Sequence, residues 1–515
     1  MTISFFVFLS LKSCDIYLHI KMGTICSAED DFIPVDKPQK AANINSANIY
    51  DLANRVNVFM KAQHNPIELN STMSQTIPIQ LKIDVGEIAS NEKAPIDIIL
   101  VLDHSGSMAG ERMELAKDAC YDVLQYLGPQ DRVGLIKFDC KATEVTHIST
   151  MTEQHKAKLV RDIRSIEAEG GTDIAAGLKL AIKMLHKRKY VNAVTSIFLL
   201  SDGEDEGADE RVRNLIASYD FDDVYTINTF GFSHHHDPEL MSAIAHEKGG
   251  NFYFIEEINT IDECFADCLG GLVSVVADNV NVVVQSYGSD LLPGLRICQS
   301  YGLPGDWIQT GNVYKRTIPH LMSGREMNSI FEVRIPACNT LIQEGFTQLK
   351  IASAQITLQG LNYDNSQKAS VVKNVDLIVT FTNPGVQVQQ RTVDADVMFN
   401  YFRVRKATIL NMAHLACSRG QFGEAKAMLQ SLIQEMKQSV LATSKVGDFD
   451  DLIKDFEAAF NHIQYYHRGG KHHLLQHHRN HMDERSNIHS NVIYGNAIQA
   501  SMVQAARNKK MPYRY

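Results

Sequence analysis

Asp103, Ser105 and Ser107 place one carboxylate and two hydroxyls in a short span that closes an almost unbroken apolar run, Ile96 to Leu102. A run of that kind reads as a strand buried on both faces, as in the centre of a parallel sheet. Polar chemistry begins where it stops. Gly106 permits the tight turn on which the three oxygens can converge. Converging anionic and neutral oxygens suit a small hard cation, since Mg²⁺ takes about six oxygen ligands at roughly 2.0–2.1 Å and keeps some of them as water. Taken alone the triplet also reads as ordinary turn and helix-cap chemistry. Two later stretches favour the metal. Gly170-Gly171-Thr172-Asp173 leads into a helical pattern of Ile174, Leu178, Ala181 and Leu185 and adds a third hydroxyl. Ser196 to Ser201 is a second buried run that ends in an acid, Asp202. Parallel strands of an open α/β sheet present their carboxyl ends along one edge, where ligands bind.

In these residues the segment from about Ala94 to Gly271 resembles a von Willebrand factor type A (VWA) domain. The metal-ion-dependent adhesion site of that family has the form D-x-S-x-S, then a Thr, then an Asp. The corresponding positions here are Asp103, Ser105, Ser107, Thr172 and Asp202. The resemblance implies a doubly wound, mainly parallel sheet and Mg²⁺ as the cofactor, with Mn²⁺ or Ca²⁺ as substitutes. It also implies a protein partner whose Asp or Glu completes the metal shell. His104, inside the motif, and His235 and His236, after a strand that should end near the same edge, are candidates for the partner rim. For His234 to His236 a surface loop capped by Asp237 is the plainer reading.

Enzymatic readings find little support. His104-Ser-Gly-Ser-Met108 does not match G-x-S-x-G, and P-loop, H-E-x-x-H and paired C-x-x-C patterns are missing. A strand-end Asp that accepts a phosphoryl group needs a further acid or a Lys beside it, and Asp103 is followed by serines. The expectation is a non-enzymatic binding module. The alternative is an intracellular scaffold or accessory subunit that binds through its helical region, with the metal site structural or vacant. His472, His473, His477, His478, His481 and His489 cluster in a polar, basic stretch without cysteine. Zinc could use the spacing of His473, His477 and His481, but a solvated tail is the expectation. Glu204, Asp205, Glu206, Asp209 and Glu210 read as a solvated loop and helix start.

Around these motifs the flanking elements separate by periodicity. Val56, Val58 and Met60, then Ile77, Ile79, Leu81 and Ile83, alternate as half-buried strands, with Pro78 as the mark of an edge. Alternation returns at Phe331, Val333 and Ile335 and at Val375, Leu377, Val379 and Phe381. The expected architecture is a β-sandwich from residues 46–93 and 275–385, split by a VWA domain at 94–271. A lone hairpin is barely stable, so the early strands need the late ones. A helical domain over 386–467 and a His-rich basic tail over 468–515 complete the expectation.

A net charge of −10 over 515 residues argues against a general nucleic-acid binder. No run is long and apolar enough for a transmembrane helix, and nine scattered cysteines fit a reducing compartment better than a disulfide framework. The expected location is therefore cytoplasmic. Residues 1–45 form a leader whose apolar block, Ile3 to Leu11, lacks a preceding Lys or Arg and makes a poor signal peptide, which leaves secretion the weaker reading. If synthesis starts at Met22, Gly23 fits the myristoylation pattern and Cys26 can take a second acyl chain, giving a cytosolic-face membrane anchor. An accidental match in a poorly ordered leader is the equal alternative.

Overall fold

The structure is a computed structural model, and it describes residues 52–88, 93–202, 205–219, 224–232, 236–255, 260–338, 346–361, 370–386, 393–440, 446–486 and 494–508. The lipidation candidates Gly23 and Cys26 and the rim candidate His235 lie outside the described residues.

Among the described residues three strands come first: β1 (Val56–Ala62), β2 (Ile67–Glu68) and β3 (Gln75–Val85). An α/β unit follows with β4 (Ile96–Asp103), α1 (Glu111–Tyr126), β5 (Arg132–Phe138), β6 (Ala142–Thr150), α2 (Glu153–Arg164), α3 (Ile174–His186) and β7 (Val194–Ser201). It continues through α4 (Ala208–Ala217), β8 (Thr226–Phe232), α5 (Pro238–Glu247), β9 (Phe252–Ile255) and α6 (Ile261–Val273). Its six strands lie in the order β6-β5-β4-β7-β8-β9, all parallel except β6, which runs antiparallel at one edge. Every residue of β4, β7 and β8 is buried. The cause is a helical layer on each face: Ile98, Leu100 and Leu102 pack into one core with α1 and α6, while Ile99 and Val101 pack into another with α3 and α5. The chain winds from β4 to β5 on one side and later lays β7 on the other. That reversal of strand order opens a crevice at the carboxyl ends of β4 and β7.

The remaining strands are β10 (Val275–Ser286), β11 (Arg296–Ser300), β12 (Ile308–Thr310), β13 (Val313–Met322), β14 (Glu326–Ile335), β15 (Phe346–Gly360) and β16 (Ser370–Thr382). They join the early strands in two sheets, β1-β3-β14-β11 and β12-β13-β10-β15-β16-β2. Ile77, Ile79, Leu81 and Ile83 of β3 share one core with Val280, Val282, Ile356 and Phe381, so the α/β unit is inserted into a sandwich. Pro78 does not mark an edge. β3 lies between β1 and β14, but Pro78 sits just past the last β1 pair, Ala62 with Ile79, and its carbonyl accepts from Gln63 N at 3.0 Å. The missing N–H therefore faces the side where β1 has run out, and the pairing with β14 continues through it.

Among the described residues five α-helices follow the sandwich: α7 (Ala395–Ser418), α8 (Phe422–Val440), α9 (Val446–Gln464), α10 (Lys471–Asp483) and α11 (Ala497–Asn508). Asp394 caps α7 by accepting from Asp396 N and Val397 N at 3.0 and 3.1 Å. The expectation of a solvated tail after residue 468 is corrected here. His472, Leu474 to Met482 and Gln499 are buried, because α10 is wedged between α7 and α9 on one side and α5 and β9 on the other, while α11 covers α6. Several polar side chains of α10 find partners inside: His472 Nε2 meets His236 O at 3.1 Å and Arg479 donates to Ser242 Oγ at 2.9 Å, while Gln476 Oε1 and Asn480 Nδ2 are buried without a hydrogen-bond partner among the described residues. Among the described residues no helix is long and apolar enough to cross a membrane.

Candidate metal site at the carboxyl edge of the inserted sheet

Asp103 is the last residue of β4 and is fully buried. Its Oδ1 accepts from Ser105 N at 2.8 Å and its Oδ2 from Ser201 Oγ at 2.5 Å, so the carboxylate is held between its own loop and the end of β7. Burial raises its pKa to about 6, against the lowering effect of the Ser201 and Ser105 hydrogen bonds, and the nearby charge of Asp202 adds to the rise. Ser105 Oγ and Ser107 Oγ lie 3.0 Å apart, Ser105 buried and Ser107 exposed, so the loop turns two hydroxyls toward one point between core and solvent. Gly106 makes this possible. Its N–H donates to Gly170 O at 3.0 Å, and a Cβ there would stand 3.3 Å from that same oxygen.

That bond docks the 105–107 loop against the segment carrying Thr172. Glu169 N donates to His104 O at 2.6 Å and Asp173 N to Asp139 O at 2.8 Å, so the Gly170-Gly171-Thr172 segment is fixed at both ends. Gly170 has φ of +79°, and a Cβ on it would meet Asp139 at 2.5 Å. Asp173 caps α3 by accepting from Ala176 N at 3.1 Å, and half-buried Thr172 precedes it. Asp202 follows β7 directly and is fully buried. Its Oδ2 accepts from Arg112 Nη1 at 3.0 Å, while its Oδ1 is buried without a hydrogen-bond partner among the described residues. A carboxylate oxygen out of water and unpaired costs several kcal/mol unless a donor or cation reaches it. The oxygen-only donor set, two buried acids and neighbouring hydroxyls, suits a hard divalent cation.

Residues 97–267 match the family model of the von Willebrand factor type A domain. This segment is a VWA domain. The chain is 33% identical to an uncharacterised protein of Synechocystis sp. over 208 residues, which make up 40% of this chain and 49% of that protein. It is 26% identical to the E3 ubiquitin-protein ligase WAV3 of Arabidopsis thaliana over 48% of this chain and 32% of that one. The chain therefore spans about half or less of the length of these curated relatives. A solved structure of a von Willebrand factor type A protein from Catenulispora acidiphila superposes with a TM-score of 0.58 at 14% identity, over 80% of this chain and 89% of that one. This likeness is one of fold.

The two rim candidates among the described residues, His104 and His236, are not exposed at the edge. His104 is buried, its N–H donating to Phe138 O at 2.9 Å and its Nδ1 lying 3.2 Å from Glu167 O, because the strand end turns the ring inward beneath the 167–169 segment. His236 is also buried, its ring against Phe252, Phe254 and His472. It joins the VWA domain to α10. Two residues at the site escaped the sequence reading. Ser201 stood in the SIFLLSD run, one position before the acid, and Arg112 lay in α1 with no motif to single it out.

Proposed function

We propose that the chain is a non-enzymatic, divalent-cation-dependent protein-binding module whose VWA site takes Mg²⁺, with Mn²⁺ or Ca²⁺ as substitutes. The observation that carries the reading is the unpartnered, buried Asp202 Oδ1 beside buried Asp103 and the Ser105 and Ser107 hydroxyls. Asp103, Ser105, Ser107, Thr172 and Asp202 would hold the ion, whose remaining coordination position supplies a Lewis-acid contact for an Asp or Glu of the protein partner. Ser201 positions Asp103, and the Gly106 to Gly170 bond keeps the hydroxyl loop and the Thr172 loop in one frame. Exposed Ser107 leaves the loop open on its solvent side for the incoming carboxylate. A cytoplasmic location belongs to the same proposal.

The test is calorimetric titration of Mg²⁺ into the full chain, paired with capture of an acidic partner in Mg²⁺ and in EDTA. Asp103→Ala is expected to abolish both the binding heat and the EDTA-sensitive capture while the chain stays folded. Capture that persists in EDTA and in Asp103→Ala would move the interaction to the helical region.

A further inference from the structure

The α9–α10 hairpin holds a second concentration of metal-binding chemistry, far in sequence from the VWA motif. The two helices are joined by a tight turn over Tyr466–Gly470, in which Gly469 has φ of +94°. Gly470 lies so close to the end of α9 that a Cβ would sit 1.9 Å from His462 O. This close return brings His473 of α10 over His462 of α9. Their rings stack with centroids 4.5 Å apart and planes inclined by 20°, and His477, one turn further along α10, lies 5.6 Å from His462. One ring nitrogen from each of His462, His473 and His477 comes within 4.8 Å of the others.

The neighbouring Asp455, His477 and His481 also converge, but that group is largely satisfied by protein. Asp455 Oδ2 is bonded to Lys406 Nζ and lies 2.6 Å from His481 Nε2, while His481 Nδ1 is 2.6 Å from Tyr494 Oη. His477 links the two groups: its Nδ1 faces Asp455 Oδ2 at 3.6 Å, which leaves Nε2 on the far side of the ring. A carboxylate behind one ring nitrogen is the arrangement that orients histidine toward a metal at the other.

We propose that His462, His473 and His477 form a Zn²⁺ site, with water in a fourth position. Three imidazoles without a carboxylate select a borderline cation such as Zn²⁺ over Mg²⁺, which separates this site from the oxygen-lined VWA edge. Nitrogens about a tetrahedral zinc stand roughly 3.4 Å apart, given Zn–N distances of about 2.0–2.1 Å. From within 4.8 Å of one another the three nitrogens would have to draw together by side-chain rotation as the ion binds. His462 and His473 are half-buried and give the ion a way in, whereas His477 is buried and fixes the inner wall. The site would clamp α9 to α10, and α10 reaches the VWA domain through His472 on His236 O and Arg479 on Ser242.

Co²⁺ is the probe, because tetrahedral nitrogen coordination gives it strong visible d–d absorption. Titration into the metal-stripped full chain carrying Asp103→Ala, which silences the VWA edge, should saturate at about one equivalent and be reversed by Zn²⁺. Zn²⁺ should also raise the melting temperature of that chain. Adding His462→Gln and His473→Gln should abolish the absorption and the melting shift. Either substitution alone should weaken Co²⁺ binding at least about tenfold, and these single variants decide the matter if the double one is poorly folded. Absence of saturable uptake by the Asp103→Ala chain, or undiminished absorption in the histidine variants, would overturn the site without bearing on Mg²⁺ at the VWA edge.

Discussion

At the scale of residues, the candidate VWA site is a balance of charges out of water. Asp103 and Asp202 are both buried, and among the described residues the cationic side chain bonded to Asp202 is Arg112, whose Nη1 also donates to Ser107 O at 2.9 Å. That guanidinium partly neutralises the edge and so competes with any cation bound there. A like-charge contact of this kind costs a divalent ion on the order of 1–2 kcal/mol in a partly solvated setting. Arg112→Gln is therefore expected to raise Mg²⁺ affinity by roughly tenfold in calorimetric titration. A fall instead would mean that Arg112 serves to hold Asp202 in place. The residues of the motif could be read from sequence because their types and order are constrained by the ion. Arg112 could not, since its contact depends on how α1 crosses the edge. His104 was misplaced for a similar reason: chain position does not say whether a ring after a strand end faces out or in.

At the scale of elements, buried strands and amphipathic helices were legible from apolar spacing, whereas α10 was not. Its sequence, KHHLLQHHRNHMD, is polar, and its burial rests on hydrogen bonds to partners remote in sequence. Periodicity measures apolar faces and cannot register a helix buried by pairing. This burial has a pH signature. His478 lies 2.8 Å from Ala407 O through Nδ1, with Arg479, Asp483 and His414 as its charged or titratable neighbours. Burial lowers its pKa from 6.5 to about 4, with the Ala407 contact opposing. Above about pH 6.5 neither the folded nor the unfolded chain binds the proton; between about 6.5 and 4 only the unfolded chain does. The contribution is thus present above pH 6.5 and lost as pH falls toward 4, on the order of 3 kcal/mol from this group. Urea unfolding midpoints should drop steadily from pH 7.5 to pH 5. A flat profile would contradict the burial of α10.

At the scale of the whole molecule, the alternation of the early strands and the need to cover them made an interrupted sandwich legible, though the register of those strands was not. The joins of the insertion explain how a sheet tolerates a large α/β unit in mid-course. Ile88 N donates to Ser323 Oγ at 2.7 Å, and Ser323 N donates to Ser274 O at 2.8 Å. Entry and exit of the VWA domain therefore meet on one residue at the end of β13. Asn496, ahead of α11, bonds both Ser274 Oγ and Ser323 O at 2.8 Å and locks the junction. With its ends so close, the domain can be replaced by a short loop at little entropic cost. The strand β3 cannot be spared in the same way. It lies between β1 and β14 and buries Ile77, Ile79, Leu81 and Ile83, each worth roughly 1.5–3 kcal/mol, a sum that rivals the typical domain stability of about 5–15 kcal/mol. Residues 52–88 joined to 274–386 by a short Gly-Ser linker are therefore expected to be soluble and to melt cooperatively. Residues 274–386 alone, with the edge of β14 uncovered, are expected to aggregate. Calorimetry and light scattering on the two chains check this, and a cooperative melt from 274–386 alone would show that the early strands are an accessory to the sandwich.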